Sequence, residues 1–123
     1  MAQILITGVS SGIGHALAAE YLSRGASVYG TSRRTPDDLT SNSAFRFVPL
    51  DLTEFDQVGA GFDTLLDGVA RLDLVILNAG ILGPFGDLAE QSLDDMKHVL
   101  DVNVWANKVV LDAVYRQVDE VRQ

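Results

Sequence analysis

The chain of 123 residues contains no cysteine, only one tryptophan and two histidines, and about half as many Lys and Arg (9) as Asp and Glu (17). Without thiols, neither a disulfide framework nor a thiolate metal site is possible, and the composition fits a reducing compartment, so a cytoplasmic location is expected. His15 and His98 stand alone, with no partner at ligand spacing, and are read as ordinary imidazoles rather than metal ligands, so no metal site is predicted. A formal net charge of −8 argues against nucleic acid or an anionic membrane surface as partner. Long apolar runs are also missing. The first run is a few residues long and lacks a basic flank, so neither a signal peptide nor a membrane span is expected.

What is present is a core-forming composition, 47% hydrophobic, enough for one domain covering residues 1–123. Charge is unevenly spread. The first fifty residues carry four cations against three anions, and the remainder five against fourteen. The near-neutral part holds the pair Arg33-Arg34 and the octapeptide Thr7-Gly8-Val9-Ser10-Ser11-Gly12-Ile13-Gly14. That glycine-rich turn lies between a strand pattern, Gln3 to Thr7, and a helical one, Gly12 to Arg24, in which Ile13, Leu17, Tyr21 and Leu22 recur at helical spacing. A helix start offers unpaired backbone N–H groups and partial positive charge, and glycines allow a phosphate close approach. The alternative is a turn chosen for packing alone.

The rest of the chain keeps the same rhythm. Gly25 ends the first helix; strands are predicted at Ala26–Thr31, Phe45–Leu50 and Leu74–Leu77, with a helical turn at Asp37–Leu39. Thr53-Glu54-Phe55-Asp56 resembles a capping box opening a helix whose buried stripe is Phe55, Val58, Phe62, Leu66 and Val69. Gly80, Gly83-Pro84 and Gly86 mark a loop, and Ser92-Leu93-Asp94-Asp95 reads as a second cap, opening a long helix through Trp105 to about Val121. Strands alternating with helices predict an α/β fold, a parallel sheet covered on both faces. The unbroken apolar run Leu74–Leu77 reads as a strand covered on both sides, of the kind found inside sheets.

Thr-Gly-x-x-x-Gly-Ile-Gly, Ser32-Arg33-Arg34 after the second strand, Asp51-Leu52 after the third, Asn78-Ala79-Gly80 after the fourth and Asn103 in the last helix occur in one order. Together they resemble the short-chain dehydrogenase/reductase family. The resemblance spans the chain and implies a Rossmann-like, doubly wound sheet of strand order 3-2-1-4. It implies an oxidoreductase acting on a small carbonyl or alcohol. In that frame Gly8, Gly12 and Gly14 permit the turn, the approach of a pyrophosphate and close helix packing, with Ile13 beside them, while Ser10 and Ser11 offer hydroxyls and Thr7 is structural. Ser32 stands where NAD-preferring members carry an acid, and Arg33 and Arg34 follow; guanidinium suits phosphate, so NADP(H) is expected over NAD(H). Two solvated surface arginines are the plain alternative.

Asp51 corresponds to the residue that reaches the adenine amino group, with Leu52 lining the ring; a helix N-terminal cap is the plain alternative. Asn78, Ala79 and Gly80 border the cofactor by the same resemblance, and Asn103 corresponds to a member of the catalytic tetrad that bends its helix and holds a water in the proton relay. The long helix corresponds to one that forms homo-oligomer interfaces. The family's serine and Tyr-x-x-x-Lys pair, expected beyond that helix, do not occur: four positions after Tyr21, Tyr29 and Tyr115 stand Gly25, Arg33 and Asp119. The chain therefore reads as the cofactor-binding half of such an enzyme, incomplete at its C-terminal end and inactive alone, with Leu74–Leu77 an exposed edge. A non-catalytic dinucleotide-binding or partner-docking module is the other reading.

Overall fold

The computed structural model describes residues 1–83 and 86–121; Pro84 of the predicted loop lies outside them. Three strands dominate the centre, β1 (Gln3–Thr7), β2 (Ser27–Ser32) and β3 (Phe45–Pro49), interleaved with α1 (Gly12–Ser23) and the short α2 (Asp37–Thr40). After α3 (Phe55–Leu65) and a two-residue strand β4 (Arg71–Leu72), β5 (Leu74–Leu77) joins the other side of β1. All pairings are parallel and the order is β3-β2-β1-β5, the predicted 3-2-1-4 with β5 as its fourth member.

Strand periodicity sorts the core onto two faces. Leu5 and its register partner Tyr29 point to one face, packed with Val58, Phe62 and Leu65 of α3 and with residues of a later helix; Ile4, Ile6 and Val28 point to the other, against Ala18 and Leu22 of α1 and Leu39 of α2. Helices thus cover both faces, as a doubly wound sheet requires. The start of β1 is fixed by Asp73: its Oδ2 accepts from the Gln3 amide at 2.8 Å, and its own amide donates to the Gln3 carbonyl at 2.8 Å.

The helix α1 departs from its predicted row at one residue. Leu22 is buried and Leu17 and Tyr21 pack against the core, but Ile13 is 73% exposed and Gly14 and Ala18 are buried in its place. Small residues let the helix approach the sheet closely, and that approach turns the row containing Gly14 inward and Ile13 outward. The helix end follows the prediction: the Gly25 amide donates to the Leu22 carbonyl and the Ala26 amide to the Tyr21 carbonyl, both at 3.0 Å, the paired bonds of a Schellman stop.

The cap expected at Thr53 is not formed. The Thr53 hydroxyl donates to Asp51 Oδ1 at 2.7 Å, and α3 starts at Phe55, which is itself partly exposed. The later cap is formed, with Ser92 Oγ accepting from the Asp95 amide at 3.0 Å ahead of α4 (Leu93–Leu100). The long helix is not uniform. A π-turn at Asp101–Trp105 separates α4 from α5 (Ala106–Gln117), and the helix stops short of Val121. Val118 is extended and buried, and β6 (Glu120–Val121) pairs in parallel with β4. Burial of Val118 outweighs one more helical turn. Among the described residues β5 has a strand neighbour only on its β1 side, so the apolar run stands at an edge, as the reading of the chain as half of a fold expects and unlike the interior position its composition alone suggests, with Leu74 38% exposed.

Candidate functional site

The carboxyl ends of β1, β2, β3 and β5 open onto a cleft of ≈ 410 Å³ at the point where the strand order reverses beside β1, the position where doubly wound sheets place ligands. Its wall includes Gly8, Ser10, Ser11, Ser32, Arg33, Arg34, Asp51, Leu52, Asn78, Ala79 and Gly80. Gly12, Ile13 and Gly14 of the predicted set are not on that wall.

Gly14 instead holds the turn together. A Cβ added there would stand 2.0 Å from the Gly8 carbonyl oxygen and 2.5 Å from Asn78 Nδ2. Gly8 has φ +79°, a left-handed conformation suited to glycine, and its amide donates to the Thr31 carbonyl at 2.8 Å. Asn78 Nδ2 donates to the Gly8 carbonyl at 3.2 Å, and the Ala79 amide donates to Thr7 Oγ1 at 3.1 Å. The fully buried Thr7 hydroxyl is therefore structural, as expected, and Asn78 ties β5 to the glycine turn. Ser11 occupies the N-cap position of α1 with extended backbone and no side-chain cap bond, so the first amide groups of the helix are not closed off by its own residue. A cradle in which an added Cβ would collide with backbone, backed by a helix start and flanked by hydroxyls, is compatible with a diphosphate.

At the end of β2, Ser32 is buried and its hydroxyl donates to the Arg34 carbonyl at 2.5 Å, closing the turn that carries both arginines. Arg33 and Arg34 are exposed, and among the described residues neither forms an ion pair. Asp51 is no helix cap. Its Oδ1 accepts from the Thr53 hydroxyl at 2.7 Å and from the Thr53 amide at 3.0 Å. These bonds hold the Asp51 carboxyl below the usual carboxylate range, with Arg33 and His98 adding smaller attractions against a slight opposing effect of burial. Leu52, 8% exposed, is rooted in the core and shows its remaining surface to the cleft.

Asn103 lies within the π-turn and not on the cleft wall. Its Oδ1 accepts from the Ile81 amide and its Nδ2 donates to the Ile81 carbonyl, both at 2.8 Å, while its own carbonyl accepts from Asn107 Nδ2 at 3.1 Å. Both ends of the Asn103 amide are thus committed to the loop after β5. Such π-turns interrupt helices where a side chain is re-aimed, often at functional sites.

The cleft also uses Thr31, Leu50, Ile81, His98 and Val102, none of them among the predicted cofactor-binding residues. His98 and Val102 are four residues apart and so share a helix face, a spacing visible in sequence, but a lone histidine beside a valine carries no chemical signature.

The short chain dehydrogenase family profile matches residues 2–123. The chain is similar to 1-deoxy-11-beta-hydroxypentalenate dehydrogenase of Streptomyces arenae, with 36% identity over 117 residues, 89% of this chain and 42% of that protein. It is similar to an NADPH-dependent pterin aldehyde reductase of Arabidopsis thaliana at 31% identity, covering 82% of this chain and 44% of that one. A short-chain dehydrogenase/reductase of Burkholderia multivorans, solved with bound NADP, superposes with a TM-score of 0.78 at 33% identity, over 95% of this chain and 54% of its own. The chain thus spans less than half the length of these curated relatives. No helix among the described residues is long and apolar enough to cross a membrane. Motifs, sheet order and relatives agree, and the chain belongs to the short-chain dehydrogenase/reductase family of oxidoreductases.

Proposed function

We propose that this chain supplies the cofactor-binding part of an NADP(H)-dependent oxidoreductase acting on a small carbonyl or alcohol in the cytoplasm. The carrying observation is that one cleft gathers Gly8, Ser10 and Ser11 at a helix start with Arg33, Arg34, Asp51 and Asn78 to Gly80. A bound nicotinamide dinucleotide supplies the hydride. The chain's own residues bind and orient: the glycine turn takes the diphosphate, with Gly12 and Gly14 shaping it and Ile13 beside it. Arg33 and Arg34 take the 2′-phosphate through paired N–H donors, and Ser32 fixes the turn that presents them. Asp51, kept ionised by Thr53, accepts from the adenine amino group, with Leu52 against the ring. Asn78, Ala79 and Gly80 border the reactive end.

Asn103 belongs to this reading as the family tetrad member of this half. With its side chain bonded to Ile81, it acts on the proton relay by holding the loop and the bent helix in place. The long helix α4–α5 is the proposed homo-oligomer surface. NADP-bound or NADPH-dependent relatives support the cofactor choice.

The test is a fluorescence titration of Arg33→Ala with NADPH and NADH. The substitution weakens NADPH by about tenfold or more, the scale of a charge-assisted phosphate contact, and leaves NADH nearly unchanged. Equal loss for both coenzymes overturns the 2′-phosphate assignment. A non-catalytic dinucleotide-binding or partner-docking module is the second reading. Hydride transfer by the protein to any of a panel of small carbonyls eliminates it.

A further inference from the structure

One contact lies outside the cleft yet joins its two anion-facing parts. His15, in the first turn of α1, directs Nε2 to Asp38 Oδ2 at 2.8 Å, and Asp38 lies in α2. Between the end of β2 at Ser32 and the start of α2 at Asp37 run only residues 33–36, which include both arginines. That turn is held on its inner side by the Ser32 hydroxyl on the Arg34 carbonyl and by buried Pro36 and Leu39. Its outer side has the His15–Asp38 contact. The imidazole follows Gly14 directly, so the pair connects the glycine turn to the arginine turn across a sequence separation of 23 residues.

We infer that His15 and Asp38 are positioning residues for coenzyme selection: they clamp α2 against the start of α1 and so set the distance between the diphosphate cradle and the guanidinium groups of Arg33 and Arg34. The inference rests on the cofactor assignment proposed above. A dinucleotide with a 2′-phosphate must satisfy both anchors at once and is sensitive to their spacing. One without that phosphate uses the cradle and not the arginines, and tolerates the change. The pair touches no part of the coenzyme in this scheme.

Electrostatics alone predicts the opposite sign for one partner. Removing the Asp38 carboxylate takes a negative charge away from the region of a bound phosphate, which by Coulomb attraction and repulsion would tighten NADPH. The clamp predicts weakening. The experiment titrates NADPH and NADH against the unsubstituted chain, His15→Ala, Asp38→Ala and the double variant, with thermal denaturation of each in the absence of coenzyme. Each single variant is expected to weaken NADPH roughly threefold to fivefold, the ceiling for an exposed pair, with NADH unchanged and the double variant no worse than either single one. Tighter NADPH binding by Asp38→Ala, equal change for both coenzymes, a lower melting temperature with an unaltered NADPH/NADH ratio, or additive losses in the double variant overturns the clamp. If the unsubstituted chain binds NADPH and NADH with equal affinity, the cofactor assignment falls and the clamp with it. A preference for NADPH that stays undiminished through all three substitutions removes the clamp alone.

Discussion

The region built from β1, α1 and β2 differs sharply from the stretch running through β5, α4 and the π-turn, although both are rich in apolar residues. In the first, Ile4, Leu5, Ile6 and Val28 are at most 2% exposed. In the second, Leu100, Val104 and Trp105 are 49%, 45% and 56% exposed, and α4 buries no residue. Apolarity is thus no measure of closure. The strands β1 and β2 each have partners on both edges and helices on both faces, whereas β5 is paired on one edge and α4 lies along the surface among the described residues. Rigidity follows the same division. The glycine turn is cross-tied by Gly8, Thr31, Asn78 and Thr7, so the groups offered to a phosphate are pre-arranged, while among the described residues the start of the loop after β5 is tied by Asn103. A preorganised anchor beside a sparsely supported border suits a site that grips a cofactor firmly and leaves the reactive end adjustable.

The sharpest way to break the comparison is at the closed end. In Gly14→Ala the new Cβ meets the Gly8 carbonyl, a backbone atom that cannot swing aside. The turn and α1 must separate, at a cost of about 3 kcal/mol, and dinucleotide binding is lost with the geometry. Gly12→Ala is the control: its Cβ meets nothing within 4 Å, and only the left-handed backbone, φ +61°, opposes it, at about 1–2 kcal/mol. Urea denaturation of the two variants measures the difference. Equal losses would show that backbone conformation, not close approach, holds this region.

These two glycines also mark what was legible in the sequence. The turn, β1, the stop at Gly25 and the strand Leu74–Leu77 depend on local patterns, and local patterns are printed in the chain. On α1 only Ile13 was misplaced, Leu17, Tyr21 and Leu22 packing as expected: it is the more hydrophobic residue, yet the side facing the sheet was chosen by the smallness of Gly14 and Ala18. That Asp51 accepts two bonds from Thr53 was not legible, since capping-box spacing looks the same whichever oxygen wins. The π-turn and the β4–β6 pairing were hidden for another reason. Each depends on residues far apart: Asn103 on Ile81, and Asp119 on the carbonyl of Ala70, 2.9 Å away. Periodicity says nothing of such partners.

The next largest effect is expected at Asn103. Asn103→Ala removes both bonds to Ile81, and because the position is exposed, water takes over part of their role. Global stability should fall by about 1 kcal/mol, the net value of a typical hydrogen bond rather than of a buried one. Hydrogen exchange at Ile81 should rise far more than exchange at Leu5, because the loop loses its tie while β1 keeps every partner. Unchanged protection at Ile81 would mean that the loop is held by something other than this side chain, and the contrast between the two regions would lose its mechanism.

The smallest effect on folding, and the most informative about the open region, is expected on α4 and the π-turn that follows it. Leu93, Met96, Leu100 and Val104 recur at spacings of three and four and are all at least 37% exposed, a stripe with no core contact to lose. Leu100→Lys with Val104→Lys should therefore change unfolding free energy by no more than about 0.5 kcal/mol, the range of ordinary surface substitutions. Self-association is different. A contiguous apolar stripe on a helix drives contact between copies, and two ammonium groups placed in it oppose that contact by desolvation and mutual repulsion. Sedimentation velocity should show less self-association in the double variant than in the unsubstituted chain at the same concentration. If association persists undiminished, the sticky surface is the edge of β5 that has no strand partner among the described residues, where Leu74 is exposed. A stability loss of about 2 kcal/mol or more would instead place these side chains in a core, and the two regions would differ in degree only.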